Sequence, residues 1–169
     1  MKQILIFLSL FLLNSLFGQK SQIEKNLEIQ IHEFGSFNQK SDFKNSVNYL
    51  HQNVIKLYGG KENFIKNSLK SLEEYKKAGF FFDRFYYTDF SPILKYKGEL
   101  QTAVVQNMVV KTKNGKFLSR NSIIAISNDG GRIWKFIGVT QENVDKIKKV
   151  LPNLSPSIKL INELPTKID

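Results

Sequence analysis

Alternation of apolar and polar residues is longest between Glu99 and Phe136, where it predicts a β-meander. Leu100, Thr102, Val104, Gln106, Met108 and Val110 share one face of the first strand, Glu99 to Thr112. Gln101, Ala103, Val105, Asn107, Val109 and Lys111 share the other. A turn follows at Lys113-Asn114-Gly115, then a strand from Phe117 to Ser127. A second turn at Asn128-Asp129-Gly130-Gly131 leads to a strand from Arg132 to Gly138. Both turns carry the Asn/Asp and Gly residues that accept positive φ in a hairpin. Thr102 and Gln106 interrupt the more apolar face of the first strand. On the second, Arg120 and Ser122 share a face with Leu118, Ile124 and Ile126. Polar groups on an apolar face need partners. A wet pocket and a solvent-facing sheet edge would each supply them.

Upstream the period becomes helical. Ile23, Leu27, Ile31 and Phe34 form a stripe that predicts a helix over Ser21–Gln39, with Gly35 ending or loosening it and His32 a surface residue beside the stripe. Ser41-Asp42 offers an N-cap for a second helix, Phe43 to about His51. Val54, Ile55, Leu57 and Tyr58 make an apolar turn before Gly59-Gly60. A third helix runs from Lys61 to Lys77, with Phe64, Ile65, Leu69, Leu72 and Tyr75 on one side and Gly79 as its C′ residue. Gly59-Gly60-Lys61 lacks the spacing of a phosphate loop and reads as a helix joint.

Phe80 to Phe90 has high β-propensity and aromatic residues on both faces, with Asp83 and Arg84 placing one charge on each. It reads as a central strand or as an aromatic wall for a ligand with a polar anchor. Ile93 to Lys97 is a short strand. Downstream, Gln141 to Leu151 is a last helix with Thr140 as N-cap, stopped by Pro152. The tail, Asn153 to Asp169, packs onto the body through Leu154, Ile158, Leu160, Ile161 and Leu164. The fold class is therefore α+β: N-terminal helices on an antiparallel sheet, then a short helix and an extended tail.

Composition changes this picture in three ways. At 169 residues, 41% hydrophobic, the chain supports one domain with its own core. Lys2, the apolar run Ile4 to Leu13, and Asn14-Ser15 read as a secretory signal peptide over residues 1–18, cleaved after Gly18 and leaving residues 19–169 as the domain. The apolar run is shorter than the roughly 20 residues of a spanning helix, so the mature chain carries no transmembrane segment and is expected to be secreted or periplasmic. Second, the absence of Cys excludes disulfides, thiolate nucleophiles and Cys-ligated metals. Two His residues without Cys make no zinc site, and neither HExxH, GxSxG nor a glycosidase-type pair of acids is present. No metal or cofactor is expected. Third, the net charge of +10 is spread over scattered lysines with no compact basic run. That suits a soluble basic surface, or an anionic envelope surface as partner, but not a nucleic-acid site.

Three helices followed by long antiparallel strands resemble the cone-shaped nuclear-transport-factor-like fold, the group of SnoaL-like cyclases and ketosteroid-isomerase-like enzymes. More narrowly, Leu57-Tyr58-Gly59-Gly60-Lys61, the hairpin Ser127 to Phe136 and the Leu151-Pro152-Asn153-Leu154 tail resemble small secreted bacterial proteins of unknown function. The resemblance implies a pocket between helices and sheet, with no isomerase acid motif to match residue by residue. Ser127-x-Asp129-x-Gly131-x-x-Trp134 also matches the Asp-box of sialidases, but one copy in a short chain reports local turn physics: Asp129 bonds turn N–H groups and Trp134 packs across the hairpin.

Three functions remain. One is a non-catalytic protein of the envelope that binds a small apolar ligand, with Asp83, Tyr86, Gln106 and Arg120 as candidate ligand-binding residues. The second is a SnoaL-like or isomerase-like enzyme with Asp83 as base and Tyr96, Gln106 or Arg120 as donors. The third is a basic adaptor on anionic surfaces. No catalytic residue is assigned.

Overall fold

The computed structural model describes residues 20–140 and 143–169. The expected signal segment, residues 1–18, and Gln141, the expected start of the last helix, lie outside the described residues. Helix α1 spans Gln22–Gln39 and opens with a capping box: the Ser21 hydroxyl accepts from the Glu24 N–H, and the Glu24 carboxylate accepts from the Ser21 N–H. Gly35 does not end it. The glycine is buried in the helix because the Tyr87 ring lies against its Cα.

Asp42 caps α2 (Phe43–Ser46), which tightens to a 3₁₀ turn over Val47–Tyr49. The predicted continuation to His51 breaks at Leu50, which is extended and bridges Phe136, while the His51 N–H donates to the Phe136 carbonyl. His51 Nδ1 then accepts from the Asn53 N–H and restarts the chain as α3, Gln52–Leu57. Helix α4, Lys61–Lys77, ends as predicted on Gly79 at φ +83°.

The sheet is antiparallel, six-stranded and open: β1 (Phe81–Thr88), β2 (Leu94–Tyr96), β3 (Glu99–Thr112), β4 (Gly115–Ser127), β5 (Lys135–Gly138) and β6 (Thr166–Lys167). The order is β1-β3-β4-β5, with β2 continuing the β1 edge of β3 and β6 continuing the β5 edge of β4. The long hairpin pairs Leu100 with Ser127 and Thr112 with Gly115, whose φ is +116°. The two predicted faces of β3 are the two faces of the domain. Val104, Ile123, Ala125 and Phe136 pack with Leu27, Ile31 and Phe34 of α1. Ile124, Ile126 and Ile137 pack on the other side with Ile147 and Leu151. The last helix, α5, covers only Val144–Val150. Its N-cap position is Asn143, not the expected Thr140, and the Asn143 carboxamide oxygen accepts from the Thr140 N–H.

The tail does more than pack. The Ser122 hydroxyl accepts from the Ile161 N–H at 2.8 Å, the Ser122 N–H donates to the Ile161 carbonyl, and the Glu163 N–H donates to the Arg120 carbonyl. The tail thus extends the sheet along the half of β4 that β5 leaves bare. Its Leu164 is 76% exposed, so that residue does not anchor it.

The turn after β4 behaves as its sequence predicts. Asp129 Oδ1 accepts from the N–H groups of Arg132 and Ile133 at 3.1 and 3.0 Å, and the Ser127 hydroxyl accepts from the Gly131 N–H. The Ile133 N–H, foremost among these donors, holds the Asp129 carboxyl below the usual carboxylate range. Those N–H groups are spent on the turn, so β5 starts at Lys135 instead of Arg132. Trp134 is 0% exposed and belongs to the α1-side core. Among the described residues, no helix is long and apolar enough to cross a membrane.

Candidate functional site

Helix α4 lines a hollow and buries none of its own residues. Its Leu69 and Tyr75 are 46% and 52% exposed. Between this helix and the α1-side face of the sheet lie two adjoining hollows. One, about 340 Å³, is bounded by Phe34 and Phe43 on the helix side, Leu72 of α4, and Phe85, Gln106 and Ile123 of the sheet. The other, about 680 Å³, is bounded by Phe80 and Val110, by Phe117, by Thr112 and Lys113 at the β3–β4 turn, and by Pro165 of the tail. Tyr75, Phe82 and Met108 line both, which makes them one groove.

The aromatic segment forms one wall. Tyr75 meets Phe80 and Phe82 edge-on, with centroids 6.4 and 6.0 Å apart, and Phe82 lies 5.5 Å from Phe85. Such edge-to-face contacts fix ring orientation while leaving the outer faces open to a guest.

A bulge sets the chemistry of this wall. Phe82 pairs with Val110 and Arg84 with Val109, so Asp83 is an extra residue opposite no partner. Strict alternation from Tyr87 through Phe85 would put Asp83 in the groove. The bulge instead gives the groove both Phe82 and Phe85 and turns Asp83 away. The expectation of one charge on each face is therefore corrected: Asp83 and Arg84 both lie off the groove face. Asp83 accepts from Lys111 at 2.8 Å and lies 3.5 Å from Lys116. The Lys111 hydrogen bond, ahead of the charges of both lysines, holds its carboxyl below the ordinary range. Arg84 lies over the Tyr86 ring, 5.1 Å from its centroid.

The four candidate residues do not converge. Gln106 lines the groove, and its carboxamide N–H reaches the Tyr87 hydroxyl at 3.4 Å. Tyr87 is otherwise enclosed, and burial pushes its phenol up to about 12. Tyr86, paired with Asn107, faces the opposite side of the sheet, as does Asp83. Arg120, paired with Asn107 across the hairpin, also faces away from Gln106. It contacts Asp89 at 3.0 Å and Glu163 at 2.7 Å in a separate shallow hollow of about 260 Å³. A base at Asp83 would have no access to the groove, so the geometry gives the isomerase-type assignment no acid/base pair. Among the described residues, no group of three or more His, Cys, Asp or Glu side chains could hold a metal ion.

What the groove can do is exclude water from an apolar guest and orient it against rings. Three features of it were hidden in the sequence. The supernumerary Asp83, the separation of α4 from the sheet and the arrival of Pro165 all depend on contacts distant along the chain. Comparisons with family models, with characterised proteins and with solved structures give no match to this chain.

Proposed function

We propose that this chain is an exported, non-catalytic protein that binds a small apolar ligand in the groove between α4 and the sheet. The observation that carries the reading is the continuity of the two hollows through Tyr75, Phe82 and Met108. Their volumes, about 340 and 680 Å³, fall in the size class of small-molecule sites, which runs from about 300 to about 1,000 Å³. Export rests on the signal-like pattern of residues 1–18. Support for a cone-shaped, SnoaL-like arrangement comes from the element order, helices before a long antiparallel hairpin, and from a hollow at the helix–sheet interface.

Titration of the purified protein with Nile red, an uncharged apolar dye, tests the site. Saturable fluorescence enhancement is expected. Phe82→Ala weakens it about tenfold, as expected from losing roughly 1–2 kcal/mol of apolar contact. Tyr86→Ala and Arg120→Ala, on the far face, leave it unchanged. Absence of saturable binding, or equal losses from both faces, would remove the groove as the site.

A further inference from the structure

Charge along the groove is lopsided. Among the described residues lining the two hollows there is no Asp or Glu, and the single ionised side chain is Lys113. Lys113 sits exposed at the β3–β4 turn, beside Thr112 and Asn114. It takes part in no ion pair among the described residues, whereas its neighbours Lys111 and Lys116 are both engaged with Asp83. The opposite end of the groove is polar but neutral, with Asn38, Ser41, Asn67, Ser68 and Ser71.

Three acids lie close to this space and none lines it. Asp169, at the same β3–β4 turn as Lys113, accepts from the Lys116 N–H and stays outside the lining. The bulge takes Asp83 to the other face. Glu74 of α4 does not line the groove and lies 3.8 Å from Lys70. The C-terminal end of α4, which borders the Lys113 end through Tyr75 and Ala78, carries the negative end of the helix dipole. Lys76 and Lys77 in its last turn offset that. A cation on the rim of an otherwise uncharged apolar trough favours a guest with a long apolar body and one negative end. The head stays at the solvent-exposed rim, so it escapes the penalty of burying an ion.

We infer that the groove takes a single-chain amphiphile, its hydrocarbon along Tyr75, Phe82, Phe85 and Met108 and its one anionic head, a carboxylate or a phosphate monoester, at Lys113. This rests on the groove being the binding site and adds the class of guest.

The test compares four ligands of equal chain length: hexadecanoate, hexadecyl phosphate, hexadecanol and hexadecyltrimethylammonium. Each displaces Nile red from the protein below its micellar concentration. At low salt at least one anion binds about two- to fivefold tighter than the alcohol, the range of an exposed ion contact, and the advantage shrinks as salt is added. The carboxylate-to-phosphate ratio separates a free fatty acid from a phosphate-headed lipid as the source of the head. Lys113→Glu abolishes the anion advantage and makes the ammonium compound the tighter ligand, while hexadecanol is unaffected, which also shows that the variant is folded. Equal affinity for anions and alcohol, with Lys113→Glu moving neither, overturns the head-group assignment and leaves the groove intact. Failure of all four to displace the dye overturns both. So does adsorption to phosphatidylglycerol vesicles that saturating hexadecanoate does not reduce, if no free amphiphile displaces the dye.

Discussion

Replacing Gly35 by alanine sets two known effects against each other at one atom. In a helix interior the change should help: alanine is favoured over glycine by about 0.8–1.0 kcal/mol. At this position, however, a Cβ would stand 2.6 Å from Tyr87 Cε2, 2.7 Å from its hydroxyl oxygen and 3.0 Å from Cζ. Ordinary carbon contacts are about 3.5–4.0 Å, so the ring would have to withdraw by roughly 1 Å. It has little room. Tyr87 is buried, packs within the α1-side core and meets His32 edge-on at 5.8 Å. Overpacking of this kind costs about 1–3 kcal/mol. The net is a destabilisation of about 1 kcal/mol, or a Tm lower by roughly 2–4 °C for a chain of this size. Urea unfolding followed by the fluorescence of the single Trp, Trp134, reads it directly. With Tyr87→Leu already in place the obstructing ring is gone, and Gly35→Ala should then stabilise by about 0.5–1 kcal/mol. A wild-type background in which Gly35→Ala raises stability by the full propensity gain would show that Tyr87 does not rest on α1, and the reasoning about the core would fail.

Two further expectations concern alkali and the tail. Tyr49 and Tyr87 are each pushed up to about 12, in both cases first by burial, and for Tyr49 also by its hydrogen bond to Glu33. Their folded values lie above the ordinary value of about 10. Their contribution is therefore intact below about pH 10 and is lost as pH rises toward about 12. Stability measured across that window should fall, and less steeply in Tyr49→Phe and Tyr87→Phe; an unchanged slope in both would contradict the assignment. Ser122→Ala removes the hydroxyl that receives the Ile161 N–H inside the protein. It should cost about 1–3 kcal/mol and speed amide exchange at Ile161 and Glu163, whereas tail amides that stay protected would mean the tail is held by other contacts.

How far the sequence could be read depended on the range of the forces involved. The β3–β4 hairpin was legible because alternation and an Asn-Gly turn are local, and Gly115 and Thr112 pair as those residues require. The Asp129 turn was legible for the same reason. Gly35 reads as a stop because a glycine within a helical stripe usually signals one, whereas here it makes room for a ring distant along the chain. The period of the second helix runs past its true end because nothing near Leu50 announces Phe136. In the tail, the prolines Pro156 and Pro165 disguise a strand whose partners lie about forty to fifty residues upstream. Of the candidate site, the aromatic wall and Gln106 were visible in the alternation. A bulge decides the facing of Asp83 and the pairing register that of Arg120, and neither leaves a local mark; Tyr86 is different, because alternation alone sets it opposite Phe85 and Tyr87.

The unpaired Asp83 also alters how the chain should be compared with others. Counting by twos along β1 gives the right facing on either side of that residue but the wrong one across it. A chain one residue shorter there would keep Phe82 and Phe85 on the same wall and would forfeit only the contacts to Lys111 and Lys116. Kinship with such chains would be recognised only by an alignment that opens a gap opposite position 83.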